Sequence, residues 1–271
     1  MKSPKLVWKI PVQTVRDVNM HNFELLIFVA SAAAFGIAIW RAKHGIVPKI
    51  RELPALAALE DLVGRAAEMG KPVHFGTGYR GLDTPEAPIV VAGLAILGHV
   101  AELCGKYKVP IHYTAIWSYN IPIGRDLIKR GYTLGGHPEM YSDDMVAYTG
   151  EHQMSYAAAL MGYTLRERPA ANMFFGGIAY ETFNMLGAGA IAGSVQAAGT
   201  SRIYYQPFLV AACDYALIGD ELYAAAAAVK KVPEETGTIR ATDIIKAIAL
   251  LLIILSLVLS GTALYAQLIK L

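Results

Sequence analysis

Cysteine is nearly absent. Cys104 and Cys213 are the only two in 271 residues and form no CxxC pair, so a thiolate metal finger is excluded and at most one disulfide could form in an export compartment. Two buried thiols in a reduced compartment account for them equally well. Charge is also scarce, at 17% of residues, and a net charge of +2 offers no broad basic surface for nucleic acid. The chain has no HExxH and no GxxxxGK[ST], which removes the helical zinc centre and the P-loop. No metal and no cofactor is expected from these patterns.

Apolar residues are plentiful, at 55%. Two stretches concentrate them: Phe23 to Trp40, with Glu24 as its single charge, and Ala247 to Ala266, with none. At 1.5 Å per helical residue they would reach about 27 and about 30 Å, close to the thickness of a hydrocarbon core. Small residues at Ala30-Ser31-Ala32 resemble a cleavage site, but the apolar run continues to Trp40 and meets Arg41 and Lys43, as a stop-transfer helix does. The expectation is therefore two terminal transmembrane helices around a central domain. The divisions are a tail over 1–22, a span over 23–42, an α/β domain with membrane-proximal segments over 43–236, a span over 244–267 and a tail over 268–271.

Eight basic residues flank the domain side of these runs (Arg41, Lys43, Lys49, Arg51, Lys230, Lys231, Arg240, Lys246) against five in the tails (Lys2, Lys5, Lys9, Arg16, Lys270). By the positive-inside tendency the domain faces the cytoplasm and both termini lie across the membrane.

Within the domain, Pro54 suits the first turn of a helix running through Leu59, Leu62 and Val63 to a stop at Gly70. Lys71 to Phe75 reads as a strand ending in Gly76-Thr77-Gly78, and Pro85 introduces a helix to about Tyr107. Val109 to Trp117 is a second strand, followed by a helix from Asn120 to Gly131. A helix is expected from Ser142 to about Leu165, a strand over Asn172 to Phe175, and a long small-residue helix from Tyr180 to Ala198. Arg202 to Tyr205 and Tyr215 to Ile218 read as strands, and Asp220 to Val229 as a helix. This alternation predicts a mostly parallel, Rossmann-like open sheet flanked by helices.

His74-Phe75-Gly76-Thr77-Gly78, Gly93-Leu94-Ala95, Gly193-Ser194 with Gly199-Thr200, and the run from Cys213 to Glu221 together resemble a prokaryotic membrane-protein family catalogued as a domain of unknown function. The resemblance covers roughly 53–229 and implies one domain, with no activity or cofactor to carry over.

Gly76, Thr77 and Gly78 end a strand before a helix, where free N–H groups can hold an anion, and Arg80 follows close behind. A glycine turn required by backbone angles is the plainer alternative. In a parallel sheet Ser118, Asn120, Gly176 and Gly177 share that edge, and ligands of open α/β sheets bind near a reversal of strand order. These eight residues are the candidate ligand site, and no catalytic residue is assigned.

The cluster His137, Glu139, Asp143, Asp144, Glu151 and His152 lacks metal-ligand spacing, although His137 could meet Asp143 across a turn. Asp214, Asp220 and Glu221 fit turn and helix-start positions as readily as chemistry. Gly187, Gly189, Gly193, Ser194 and Ala197 suggest a flat helix face for close packing, within the domain or between subunits.

Three functions follow. The first is a non-catalytic membrane-anchored subunit or scaffold, with the lipid bilayer, further copies of itself or other membrane-complex subunits as partners. The second is a sensor of a small anionic ligand or nucleotide at the sheet edge. The third is a membrane-associated enzyme. Nucleic acid is not an expected partner.

Overall fold

Helices and strands alternate through most of the chain in the computed structural model, which describes residues 22–46 and 51–259. The elements are α1 (Asn22–Lys43), α2 (Pro54–Met69), β1 (Val73–Gly78), α3 (Ala87–Tyr107), β2 (Ile111–Ala115), α4 (Asn120–Leu134), β3 (Val146–Tyr148) and α5 (Gln153–Glu167). They continue with β4 (Ala171–Gly177), α6 (Glu181–Ala192), β5 (Val195–Thr200), α7 (Gln206–Ala212), β6 (Tyr215–Ile218), α8 (Glu221–Lys230) and α9 (Pro233–Leu259).

The six strands form one parallel sheet in the order β3-β2-β1-β4-β5-β6. Every residue of β1 and β4 is buried, as expected of central strands covered on both faces. Strand alternation divides the core in two. Val73, Phe75, Tyr113, Met173 and Phe175 pack with α2, α3 and α4, while Phe174 and Ala198 face Tyr156, Leu160, Met185 and Leu186 of α5 and α6. α3 and α4 approach closely because Gly105 and Gly131 lie where they touch. A Cβ on Gly131 would fall 2.5 Å from the Ala101 methyl.

The predicted α/β class and parallel sheet are observed, whereas the terminal spans are not upheld. Among the described residues, the one helix long and apolar enough to cross a bilayer is the internal α3, and most of it is buried inside the protein. An all-round apolar helix serves a protein core as well as lipid, so composition could not separate the two. α1 and α9 instead pack on each other. Gly237 lies against Ala38 and Ala42, and Lys43 Nζ is 3.8 Å from Glu234 Oε1. Their outer sides carry exposed Phe28, Ile37, Leu251 and Ile253. The bilayer as partner, the membrane-anchored subunit and the two-span, cytoplasm-facing placement fall with the spans. Lys2, Lys5, Lys9, Arg16, Lys49, Lys270 and the last residues of the second apolar run lie outside the described residues.

Three local expectations also change. The first part of the helix expected from Ser142 is one 3-10 turn, Asp143–Met145, and the three-residue β3, which pairs with β2 before α5 starts at Gln153. The long helix from Tyr180 ends at Ala192. Gly193 takes φ +71°, and 195–200 becomes β5. Its small side chains are what fit there, since a Cβ on Gly199 would meet Leu217 Cβ at 2.8 Å and the Phe175 ring at 2.9 Å. Arg202 to Tyr205 is a turn into α7, whose first turn contains Pro207.

Candidate functional site

The strand order locates what the sequence could not. β1 has β2 on one side and β4 on the other, so the connections diverge between β1 and β4, and the carboxyl ends of the strands at such a reversal are where open α/β sheets bind ligands. The candidate residues converge there. Gly78 is the register partner of Gly177, and the Arg80 N–H donates to the Gly177 carbonyl at 3.1 Å. The β2 loop folds over the β1 loop, with Trp117 Nε1 donating to the Tyr79 carbonyl at 2.8 Å and the Leu82 N–H to the Tyr119 hydroxyl at 3.1 Å.

The glycines serve this backbone proximity. A Cβ on Gly78, where φ is +82°, would lie 2.6 Å from the Gly177 carbonyl, and one on Gly176 would lie 2.4 Å from the Thr77 oxygen. On Gly76 it would strike the Phe174 ring, and on Gly177 the Arg80 side chain. Thr77 Oγ1 is 2.9 Å from the Tyr113 hydroxyl. Ser118 donates to Glu151 at 2.8 Å. Asn120 is buried, and its amide has no well-formed hydrogen bond, although it lies near enough to the Tyr113 hydroxyl to favour ionisation there. Burial is the larger influence and drives Tyr113 upward. Burial, and then the neighbouring Asp83, push Tyr119 up to about 12, so both phenols remain protonated.

Three residues at this edge were not selected from sequence. Glu181 is fully buried at the start of α6. Its Oε1 accepts from the N–H groups of Tyr79 at 3.0 Å and Ala179 at 2.9 Å, and its Oε2 from Gln153 at 2.8 Å. Glu86 precedes α3 and receives two arginines: Arg80 Nε lies 2.7 Å from Oε2 and Arg202 Nε 3.2 Å from Oε1. Arg80 Nε is off the hydrogen-bonding direction, making that contact an ion pair without a directed bond. Arg202 Nη1 also donates to the Ile178 carbonyl at 2.8 Å. The Arg202 guanidinium also lies over the Tyr205 ring, 5.0 Å from its centre, and among the described residues the Nη groups of Arg80 and Nη2 of Arg202 make no hydrogen bond. Glu86 is recognisable locally as a residue before a helix, but its convergence with Arg202 needs the fold.

α3 does not supply a phosphate cradle. The Ala87 and Ile89 N–H groups already bond to Thr84 and Glu86 carbonyls, and Pro88 has none. The edge carries both signs of charge, with Arg80 and Arg202 beside the carboxylates of Glu86, Glu181, Asp83 and Glu151. Elsewhere, His137 pairs with Glu139 at 2.9 Å, while Asp143 takes the Tyr141 hydroxyl at 2.6 Å. Asp214 accepts the Gln196 N–H at 2.8 Å, bracing β5. Both cysteines are free, and burial pushes the Cys213 thiol up to about 12.

Fold and edge together define a doubly wound α/β domain whose polar loops gather at the carboxyl ends of its central strands. The chain belongs to the family described as "Domain of unknown function (DUF6754)", whose model matches residues 12–269. Comparison with curated proteins and with solved structures finds no match.

Proposed function

We propose that this domain binds a small molecule through an anionic phosphate or carboxylate group at the carboxyl ends of β1 and β4. Arg80 and Arg202 are the cationic contacts. Gly76, Thr77, Gly78, Gly176 and Gly177 form the floor, and Ser118 and Asn120 border it. The supporting observation is that two guanidinium groups converge on the single carboxylate of Glu86, while the Nη groups of Arg80 and Nη2 of Arg202 make no hydrogen bond among the described residues. Such donors match the geometry of phosphate and carboxylate oxygens. Glu86 holds both by their Nε sides, a pre-organisation that lowers the entropic cost of binding.

Calorimetric titration of the full chain with inorganic phosphate, pyrophosphate and citrate tests this. At least one anion binds, and Arg80→Ala or Arg202→Ala each weakens it about tenfold, the loss of one charge-assisted contact. Binding of none of the three, or an affinity unchanged in the double variant, overturns the proposal.

A further inference from the structure

A cavity of about 550 Å³ opens between α3, α8 and α9, its lining starting at Ala87 and Pro88, next along the chain from Glu86. That volume suits a small organic ligand. Its walls are mainly apolar, including Pro88, Val91 and Ala92 of α3, Tyr223 and Ala226 of α8 and Ile239 of α9.

The polar groups are uneven in a way that selects a ligand. Lys230 is paired with Glu235 at 2.9 Å, and Lys246 with Asp220. The remaining carboxylate on the lining, Asp243, has no hydrogen-bond or ion-pair partner among the described residues. Thr238 and Thr242 already donate their hydroxyl protons to the Glu234 and Thr238 carbonyls, at 2.9 and 3.1 Å. Their oxygens therefore face a ligand as acceptors. Both cations are neutralised, one anion is not, and the threonines offer lone pairs.

We propose that this cavity binds a small organic cation, an amine with an apolar body. The ammonium group takes Asp243 and the threonine oxygens, and the apolar part lies between α3 and α8. Charge complementarity supplies selectivity and apolar contact supplies much of the affinity.

Titration of the full chain with hexylamine, hexanol and hexanoate distinguishes this from unspecific apolar uptake. Hexylamine binds at least tenfold more tightly than hexanol, and hexanoate does not bind. Asp243→Asn abolishes the preference for the amine, and Val91→Trp, which fills the cavity from an exposed wall position, removes binding of both compounds. Equal affinity for amine and alcohol, or an amine affinity unchanged in Asp243→Asn, overturns the proposal. Arg80→Ala leaves amine binding intact, so this site stands or falls separately from the sheet edge.

Discussion

The Tyr79 backbone N–H donates to the buried Glu181 carboxylate at 3.0 Å, joining residues 102 positions apart in the chain. With Ala179 and Gln153 on the same carboxylate, this contact ties the loops after β1 and β4 to the start of α5.

Glu181→Ala therefore leaves two N–H groups and one amide without their acceptor. The expected loss is about 2–4 kcal/mol of unfolding free energy, given the cost of unsatisfied buried donors. Glu181→Gln retains one acceptor oxygen and loses about 1–2 kcal/mol. Urea unfolding of the full chain measures both, and equal losses in the two variants would contradict the acceptor role.

His74 makes stability depend on acidity. Its ring is fully buried between Thr114 and Asn172, each at 2.8 Å, with Thr164 at 3.3 Å. Burial, reinforced by the nearby His112, lowers its pKa to about 3. His112 is itself lowered to about 4, first by burial and then by Arg166. Unfolding restores ordinary values near 6.5, so the unfolded chain binds more protons below that pH. Stability is complete above about pH 6.5 and falls as pH drops toward these folded values. His74→Gln flattens the decline between pH 6.5 and 4 in a series of urea midpoints, and an unchanged slope would refute the assignment.

Gly78→Ala tests the closeness of β1 and β4. The added methyl would lie 2.6 Å from Gly177 backbone atoms at a φ of +82°. Strain and overpacking together cost about 2–4 kcal/mol. Gly187→Ala, where no atom lies within 4 Å of the new Cβ, is neutral or slightly stabilising because alanine favours the helix. Thermal unfolding should rank the two variants in that order.

Tyr132→Phe removes a buried hydroxyl that donates to the Val109 carbonyl at 2.5 Å and accepts the Ile111 N–H at 3.1 Å. The expected cost is about 1–3 kcal/mol. Faster amide exchange at Ile111, measured by NMR, should accompany it.

Much of the fold was legible because local signals agreed. Pro54 and Gly70 bound α2, and the short apolar run at Val73 became a doubly covered strand. β5 was concealed because Ala197, Ala198 and Gly199 carry no strand preference, and it forms where neighbouring strands leave room only for small side chains. Glu181 carries no local signal of a site in the sequence. Its function as an acceptor exists only once the loops around Tyr79 and Ala179 are placed.

Periodicity, proline and glycine act over a few residues, so the α/β class, the parallel sheet and the glycine-rich ends of β1 and β4 could be read from the sequence, whereas β3 and β5 could not. Tertiary structure alone decided that the sheet reverses between β1 and β4, that Arg80 and Arg202 meet on Glu86, and that apolar α3 lies within the protein core. Those outcomes depend on contacts between distant segments, and a helix's apolar composition does not specify what will cover it.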